Sequence, residues 1–265
     1  MTAIDDRELS ASATTAVEVA NATPVVDVVG DSTEEGGTVN VAASFTDAGT
    51  NDTHTASVDW GDGTDPEPVT IGDLGSLSHA FVQDGDFTVT VTVTDDDGAA
   101  GVATATNVVA NVLPSVVIDT LDGDIDEGGT ATATVSFTDP GVLDSHTATV
   151  DWGDGSGPQS VDADDLASLS HTYAEDGTFG LAVSVDDDDG TATTGLPVTV
   201  TNVAPTVSVT GAEELQQEAV GTFEASFSDP GLNDTHTASV DWGDGSGPQS
   251  VALADLPALT HSWAL

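Results

Sequence analysis

The sequence almost lacks positive charge. Its 265 residues include 47 acidic residues but only one Lys or Arg, Arg7, and the formal net charge is −46. Proteins that bind nucleic acid displace counterions from phosphates with Lys and Arg, and anionic membrane surfaces attract the same side chains. The charge therefore excludes nucleic acid and anionic membranes as partners of this segment.

Cysteine and long apolar runs are also missing. Without cysteine, the chain has no disulfides, no thiolate metal sites and no cysteine nucleophile. A membrane-spanning helix needs about 18 or more consecutive apolar residues, and the sequence contains no such run. We therefore expect no membrane insertion in this segment.

Aromatic residues make up only 5% of the chain, and low aromatic content with high charge is often a sign of disorder. The residue pattern indicates order instead. Apolar and polar residues alternate over 88–94, 131–137 and 198–201, and many of them are β-branched. This alternation predicts half-buried β-strands.

An internal repeat is the strongest signal in the sequence. The segment HTASVDWGDG at 54–63 returns at 236–245, and HTATVDWGDG stands at 146–155, so the spacings are 92 and 90 residues. A proline opens each unit. We predict these segments: 1–23, the C-terminal strands of a preceding or partner unit; 24–113, the first unit; 114–204, the second; and 205–265, a third that lacks its last two strands.

The second unit shows the strand pattern most clearly. Short alternating segments separated by Gly, Asp and Pro clusters are typical of an antiparallel β-sandwich. The best candidate for a helical turn is 163–168. Strands A to G are predicted at Ser115–Thr120, Ala131–Phe137, Thr147–Trp152, a short pair around Gln159–Val161, Leu169–Tyr173, Thr178–Val185 and Thr191–Thr201.

Two explanations account for the way the sequence frames the repeats. Residues 4–24 align without a gap on 94–114, the end of the first unit. The sequence is either a window from a longer tandem array, or residues 1–23 of one copy complete the open third sandwich of the next. The second arrangement would cover an exposed sheet edge and propagate a filament.

Two motifs recur in each unit. DWGDG is followed by His-x-aromatic, at 79–81, 171–173 and 261–263, and the complete units add DGxF and a run of aspartates before Gly. This pattern resembles the polycystic-kidney-disease (PKD) domain. The resemblance implies tandem immunoglobulin-like antiparallel β-sandwiches. Such domains serve as extracellular spacers or adhesion modules in prokaryotic surface proteins and secreted hydrolases, and the family implies no active site.

The sandwich topology sorts the acidic loops to two poles. Loops AB, CD and EF lie at the far pole, and loops BC and FG lie at the near pole beside the preceding unit. Stacked units would therefore bring acids together. Between the second and third units, Asp122, Asp124, Asp126, Glu127, Asp154, Glu175 and Asp176 are expected to face Asp229 and Asp234 across Asn202.

Clustered carboxylates repel unless a cation lies between them. Calcium accepts six to eight hard oxygen ligands from irregular loops, so we expect Ca²⁺ to bind at the loop poles and stiffen the junctions. The candidate ligands are Asp31, Glu34, Glu35, Asp47, Asp52, Asp95, Asp96, Asp97, Asp122, Asp124, Asp126, Glu127, Asp139, Asp144, Asp187, Asp188, Asp189, Asp229 and Asp234.

The most specific local motif is Asp122-x-Asp124-x-Asp126, which matches the first ligand positions of an EF-hand loop. It departs from that loop afterwards, because Glu127 stands where Gly is required and Ala133 where Glu is required. No true EF-hand is predicted. The alternative is that the acids are simply solvated, as in the acidic proteins of a halophilic or marine organism.

Histidine and tryptophan residues recur with the repeat. His54, His146 and His236 each follow an aspartate by two residues, but an active site needs one prepared cleft, and triplication argues against catalysis. We expect structural histidines that bond to loop backbone. Trp60, Trp152 and Trp242 are expected in the sandwich cores.

The sequence thus predicts a non-enzymatic structural protein of a prokaryotic cell surface. It would be a stalk or filament of PKD-like domains with cation-stiffened junctions, whose partners are neighbouring repeats or other copies of itself. The alternative is a spacer, or a carbohydrate- or protein-binding module, of a secreted hydrolase or adhesin.

Overall fold

The structure consists mainly of β-strands. This computed structural model describes residues 1–8, 10–211, 214–216 and 218–263. The predicted first segment and third repeat also include residues 9, 212, 213, 217, 264 and 265, which lie outside the described residues. Within the described residues, no helix is long and apolar enough to span a membrane. By their internal contacts the residues form two units, Met1–Val112 with Pro140–Leu143, and Leu113–Asp139 with Asp144–Leu265.

The first repeat contains two sheets that enclose one core. A short hairpin, β1 (Thr2–Ile4) and β2 (Ser10–Ser12), precedes it. The strands of the repeat are β3 (Val25–Val29), β4 (Ser32–Glu34), β5 (Thr38–Thr46), β6 (His54–Asp59), β7 (Glu67–Val69), β8 (Leu77–Ala80), β9 (Gly85–Asp95) and β10 (Ala100–Ala110), with a 3₁₀ helix at Ile71–Ser76. One sheet has the order β3-β5-β8 and the other β4-β10-β9-β6-β7.

Strict alternation builds this core. Val39 and Val41 on β5 face inward together with Val89, Val91 and Val93 on β9, and all five are at most 1% exposed. Their polar neighbours point to solvent or lie at the surface, because successive side chains of a strand point to opposite faces. The alternation therefore gives each sheet one apolar face, and the two faces form the core.

The hairpin before the first repeat has an informative register. Thr2 pairs with Ser12 and Ile4 pairs with Ser10. Between β9 and β10, Thr92 pairs with Val102 and Thr94 with Ala100. The two hairpins thus have the same register, displaced by 90 residues.

The second repeat has the same architecture. Its strands are β11 (Ser115–Asp122), β12 (Asp124–Asp126), β13 (Thr130–Thr138), β14 (Thr147–Asp151), β15 (Gln159–Val161), β16 (Leu169–Thr172), β17 (Gly177–Asp186) and β18 (Thr191–Thr201), with a 3₁₀ helix at Ala163–Ser168. The sheet orders are β11-β13-β16 and β12-β18-β17-β14-β15. The predicted all-β sandwich architecture is confirmed.

The predicted core tryptophans are found where expected in the first two repeats. Trp60 and Trp152 are 2% and 3% exposed. The hydroxyl of the buried Tyr173 donates to the backbone oxygen of Trp152 at 2.8 Å, so the polar end of this aromatic pair is satisfied inside the core.

The turn after each tryptophan depends on glycine. Gly153 has a φ of +78°, and a Cβ there would lie 2.6 Å from the backbone oxygen of Gly180. Gly61 has the same conformation and the same close approach, to Thr88. Only glycine adopts this backbone conformation without strain and leaves room for the neighbouring strand.

The third repeat has fewer strands. Those described are β19 (Thr206–Gly211), β20 (Val220–Ser228), β21 (Ala238–Val240), β22 (Gln249–Val251) and β23 (Leu259–Ser262), with a 3₁₀ helix at Leu253–Ala258. They form the sheets β19-β20-β23 and β21-β22. Between them lies an apolar groove of about 580 Å³, lined by Phe223, Trp242 and Trp263 among others. Trp242 is half-buried rather than buried, because the strands that would cover it in a complete repeat are not among those described.

Candidate metal centres

Each histidine of the chain pairs with an aspartate. His54, His146 and His236 donate through Nε2 to the aspartate seven residues earlier. The pairs are His54–Asp47 at 2.9 Å, His146–Asp139 at 2.9 Å and His236–Asp229 at 2.7 Å. The prediction that these histidines bond to loop backbone was therefore wrong. The hydrogen bond from His54 lowers the pKa of Asp47, and the bond from His236 lowers that of Asp229.

The other three histidines form a second set of pairs. His79, His171 and His261 lie 2.7–3.0 Å from Asp62, Asp154 and Asp244, the second aspartates of the DWGDG turns. Each ring also stacks on the tryptophan of that turn. These pairs were not predicted from the sequence, although their constant spacing of 17 residues in all three repeats could have revealed them.

An acidic cluster lies at the end of the first sandwich that carries loops BC and FG. Asp47, Asp52 and Asp95 each offer an oxygen atom, and these atoms lie within 4.8 Å of one another. Asp95 is buried, with Asn21 Nδ2 donating to its Oδ2 and the Ala99 backbone amide to its Oδ1, both at 2.8 Å. The predicted ligands of loops BC and FG are thus brought together here.

The electrostatics of this cluster are those of crowded like charges. Burial first, and then the neighbouring acids, raise the pKa of Asp52; these neighbours are Asp96, Asp47, Asp95 and Asp97. Asp96 also accepts from the Thr53 backbone amide at 3.1 Å. Asp97 is exposed.

In the second repeat, the FG aspartates organise their own turn. Asp187 is 1% exposed, and its Oδ1 accepts from the amides of Asp189 and Gly190 at 3.1 and 2.7 Å. Asp188 accepts from the Ser145 hydroxyl at 2.8 and 3.0 Å. Asp144 is half-buried. These bonds explain the run of aspartates as turn structure.

The predicted ligands near the AB turns are placed differently. The Asn40 backbone amide donates to Oδ2 of Asp31 at 2.9 Å. This bond and one from the Ser32 backbone amide lower the pKa of Asp31. Glu34 lies exposed at the end of β4. The exposed residues Asp122, Asp124 and Asp126 lie on β11 and β12 rather than in a single loop, and no metal-like grouping of described residues includes them.

One buried glutamate in each complete repeat bonds to the following linker. Glu35 and Glu127 are both 3% exposed. Oε1 of Glu35 accepts from the Val112 amide and Oε1 of Glu127 from the Val203 amide, each at 2.8 Å. Both glutamates were predicted as calcium ligands because of their charge, but their hydrogen bonds to the linker were not predicted.

Glu127 also belongs to a cluster with residues distant in sequence. One oxygen each from Glu127, Asp176 and Asp234 lie within 4.8 Å of one another. Asp234 lies in a second group with Asp229 and His236. The structure thus brings together acids from the second and third repeats.

Comparisons with known proteins identify the domain type. A sequence model of the PKD domain matches residues 21–110 and again residues 111–201. No protein with a curated description matches the chain.

Several solved structures are similar in part. The PKD1 domain of Vibrio anguillarum Epp is 25% identical and covers 34% of this chain and 98% of its own, with a TM-score of 0.28. The PKD1 domain of the Vibrio cholerae metalloprotease PrtV is 21% identical, and the match covers 34% of this chain and 99% of that domain, with a TM-score of 0.26. The fibronectin(III)-like modules of Clostridium thermocellum CbhA are 16% identical, and the match covers 67% of this chain and 94% of the modules, with a TM-score of 0.29. Because the two matches of the family model span most of the sequence, the chain belongs to the PKD domain family.

Proposed function

We propose that this chain is a non-enzymatic part of an extracellular stalk or filament at a prokaryotic cell surface. In this proposal, tandem PKD domains are joined through linkers that their own buried side chains hold, and divalent cations stiffen the junctions. The partners of each domain are neighbouring repeats or other copies of the chain.

The observation that carries the proposal is the repeated glutamate tether. Glu35 and Glu127 occupy the same place in successive repeats, and each accepts a hydrogen bond from the linker that follows. Hydrogen bonds to a charged group are stronger than neutral ones, above all where water is excluded. A linker held in this way transmits force and orientation, as a stalk requires.

The histidine pairs support a structural role rather than catalysis. All six histidines are bonded to aspartates, and the same arrangement recurs in all three repeats. A general base must reach a substrate proton, whereas these Nε2 atoms are engaged inside the domain. Three equal copies of a pair suit a repeated building unit.

Immunogold electron microscopy of the producing cells tests the stalk proposal. With antibodies against residues 24–204, we expect gold along fibres outside the cell envelope, and we expect the fibres to become more flexible in a calcium chelator. Gold in the cytoplasm would contradict the proposal. Gold on a secreted enzyme that is retained by polysaccharide would favour the hydrolase module instead.

We further propose that an F–G hairpin completes the groove of the third repeat. It would come either from sequence that follows in a longer array or from residues 1–23 of a second copy. The register of β1 and β2 equals that of β9 and β10, so residues 1–23 contain the kind of hairpin that the second source requires. The apolar groove beside Trp242 and Trp263 supports the need for a covering strand pair.

Light scattering of the 265-residue chain tests the second source. We expect linear oligomers that grow with protein concentration and disappear when residues 1–23 are deleted. A chain that remains monomeric at high concentration would exclude complementation between copies and leave the longer array as the source.

A further inference from the structure

Three carboxylates converge where the second repeat meets the third. Glu127 follows β12, Asp176 precedes β17, and Asp234 lies between β20 and β21. One oxygen atom from each lies within 4.8 Å of the other two. Residues from two turns of one sandwich and one turn of the next therefore form a single cluster.

The Glu127 side chain is the unusual member of this cluster. It is 3% exposed, and its Oε1 is satisfied by the Val203 amide at 2.8 Å. Its Oε2 is buried, and within the described part of the chain it has no hydrogen-bond partner. A buried carboxylate oxygen without a partner is strongly unfavourable, so this atom points to a positively charged ligand.

Gly231 leaves the space into which Oε2 points. A Cβ at this position would lie 2.8 Å from Oε2 of Glu127 and 2.7 Å from Oδ2 of Asp234. Any larger residue would push these two oxygens away. The glycine thus permits both carboxylates to approach the same point.

Backbone contacts fix the loop that carries Asp234. The Leu232 backbone amide donates to the Ala174 backbone oxygen at 3.3 Å. The Asn233 backbone amide donates to Oε1 of Glu175 at 2.7 Å. Both acceptors immediately precede Asp176. The two turns that supply Asp176 and Asp234 are therefore joined directly beside the cluster.

Nothing of positive charge in the surrounding sequence compensates the cluster. The only Lys or Arg of the chain is Arg7, in the first unit, and the nearby His236 donates to Asp229 at 2.7 Å. The three acids repel one another at this separation, and a divalent cation converts the repulsion into attraction.

The donor chemistry selects the cation. Three carboxylates in irregular turns suit calcium, which takes about six to eight oxygen ligands in flexible geometry and accepts water for the remainder. Magnesium demands a near-ideal octahedron, and zinc prefers nitrogen and sulfur. Asp176 is exposed, so the ion has a path from solvent.

We propose that Glu127, Asp176 and Asp234 form a calcium site that joins the second and third repeats, with Glu127 as its buried anchor. The inference rests on the proposed function, for which it names one junction ion and its ligands. An affinity in the range of extracellular calcium modules, about 10⁻⁴ to 10⁻³ M, suits this exposed, water-completed site.

Calcium binding to the 265-residue chain tests the site. Equilibrium dialysis in about 0.1 M NaCl, which screens loosely held ions, counts the calcium bound by each variant. Glu127→Gln keeps the shape and the acceptor for Val203 but removes the charge, and Asp176→Asn changes an exposed ligand. We expect each to lose one bound calcium or to weaken that site at least tenfold.

Two further variants separate the site from general charge effects. Asp164→Asn removes one charge at an exposed position of the second repeat outside the cluster, and we expect it to bind as much calcium as the parent. Gly231→Ala removes no charge but fills the space between Glu127 and Asp234, and we expect it to lose the same calcium.

Thermal unfolding gives a second readout, because the effect of Glu127→Gln on the melting temperature is expected to differ between EGTA and calcium. In EGTA, Glu127→Gln should melt at the same temperature as the parent or higher, because an unpaired buried charge is gone. In calcium it should melt lower. Unchanged calcium counts and equal calcium-induced shifts in Glu127→Gln and Asp176→Asn would overturn the site.

Failure of the site is distinguishable from failure of the proposed function. Extracellular fibres together with unchanged calcium counts would reject the site alone. A lost calcium in the variants together with cytoplasmic labelling would reject the stalk alone.

Discussion

At the scale of single residues, the histidine–aspartate pairs define how the acids are used. Asp154 accepts from His171 and from Ser156, and Asp244 accepts from His261 and Ser246. These aspartates carry charge that the fold holds in hydrogen bonds. The constant spacing of 17 residues was a signal for these pairs in the sequence, but the hydrogen bonds themselves follow from the fold, because the partners lie on different strands and turns.

The Asp154 pair predicts a defined pH dependence. Burial raises the pKa of Asp154, but the bonds from Ser156 and His171 outweigh it and lower the pKa to about 2. A carboxylate with a depressed pKa stabilises the fold above its unfolded pKa, and this contribution is lost as pH falls through the folded value. We expect Asp154→Asn to be less stable than the parent above pH ~4, with the difference vanishing near pH 2.

Chemical denaturation at a series of pH values measures this difference. Asp164→Asn is the matched control, because it removes one negative charge at an exposed position of the same repeat. Subtracting the stability change of Asp164→Asn corrects for the weaker repulsion among the acidic residues when one negative charge is removed. A difference between parent and Asp154→Asn that stays constant from pH 6 to pH 2 would show that the pair contributes no pH-dependent stability.

At the scale of strands and turns, alternation predicted most of the second repeat. The strand predicted at Ala131–Phe137 is found at Thr130–Thr138, and the one predicted at Thr178–Val185 at Gly177–Asp186. Long alternating runs of β-branched residues leave little freedom for another structure.

Short strands were beyond this kind of prediction. β12 has only three residues, Asp124–Asp126, and pairs in parallel with β18. Three residues carry no measurable period, and the aspartates suggested a metal loop. The pairing is decided by tertiary contacts, because the half-buried Ile125 packs against the core.

The DWGDG turn gives a prediction at this scale. Gly153 and Gly155 both have positive φ, but a Cβ at Gly153 would meet Gly180 at 2.6 Å, whereas one at Gly155 would meet nothing within 4 Å. We expect Gly155→Ala to cost about 1 kcal/mol, the backbone penalty alone. Gly153→Ala should cost about 3 kcal/mol or more, because steric overlap adds to it.

Unfolding of the second repeat in urea, monitored by tryptophan fluorescence, compares the stability of the two variants. The pair is its own control, since both positions need a left-handed backbone in the same turn. Equal losses of stability would mean that the neighbouring strand yields and that the close approach is unimportant.

At the scale of the whole molecule, charge and repetition dominate. A net charge of −46 keeps such chains apart in water, and like charges at domain ends also oppose stacking. The sequence predicted that acids of adjacent repeats would face each other. It could not predict which carboxylates meet, because this depends on the linker, and the tether from Glu127 to Val203 became visible only in the structure.

The distance between the second and third repeats tests the central claim most directly. The chain has no cysteine, so single cysteines at the exposed positions Thr132 and Thr222 accept spin labels without interference. Double electron–electron resonance then gives the distribution of distances with calcium and with EGTA.

We predict a narrow distribution in calcium that broadens in EGTA, and a distribution that stays broad in both conditions for Glu127→Gln. A distribution of the same width in calcium and in EGTA for the parent chain would contradict cation-stiffened junctions.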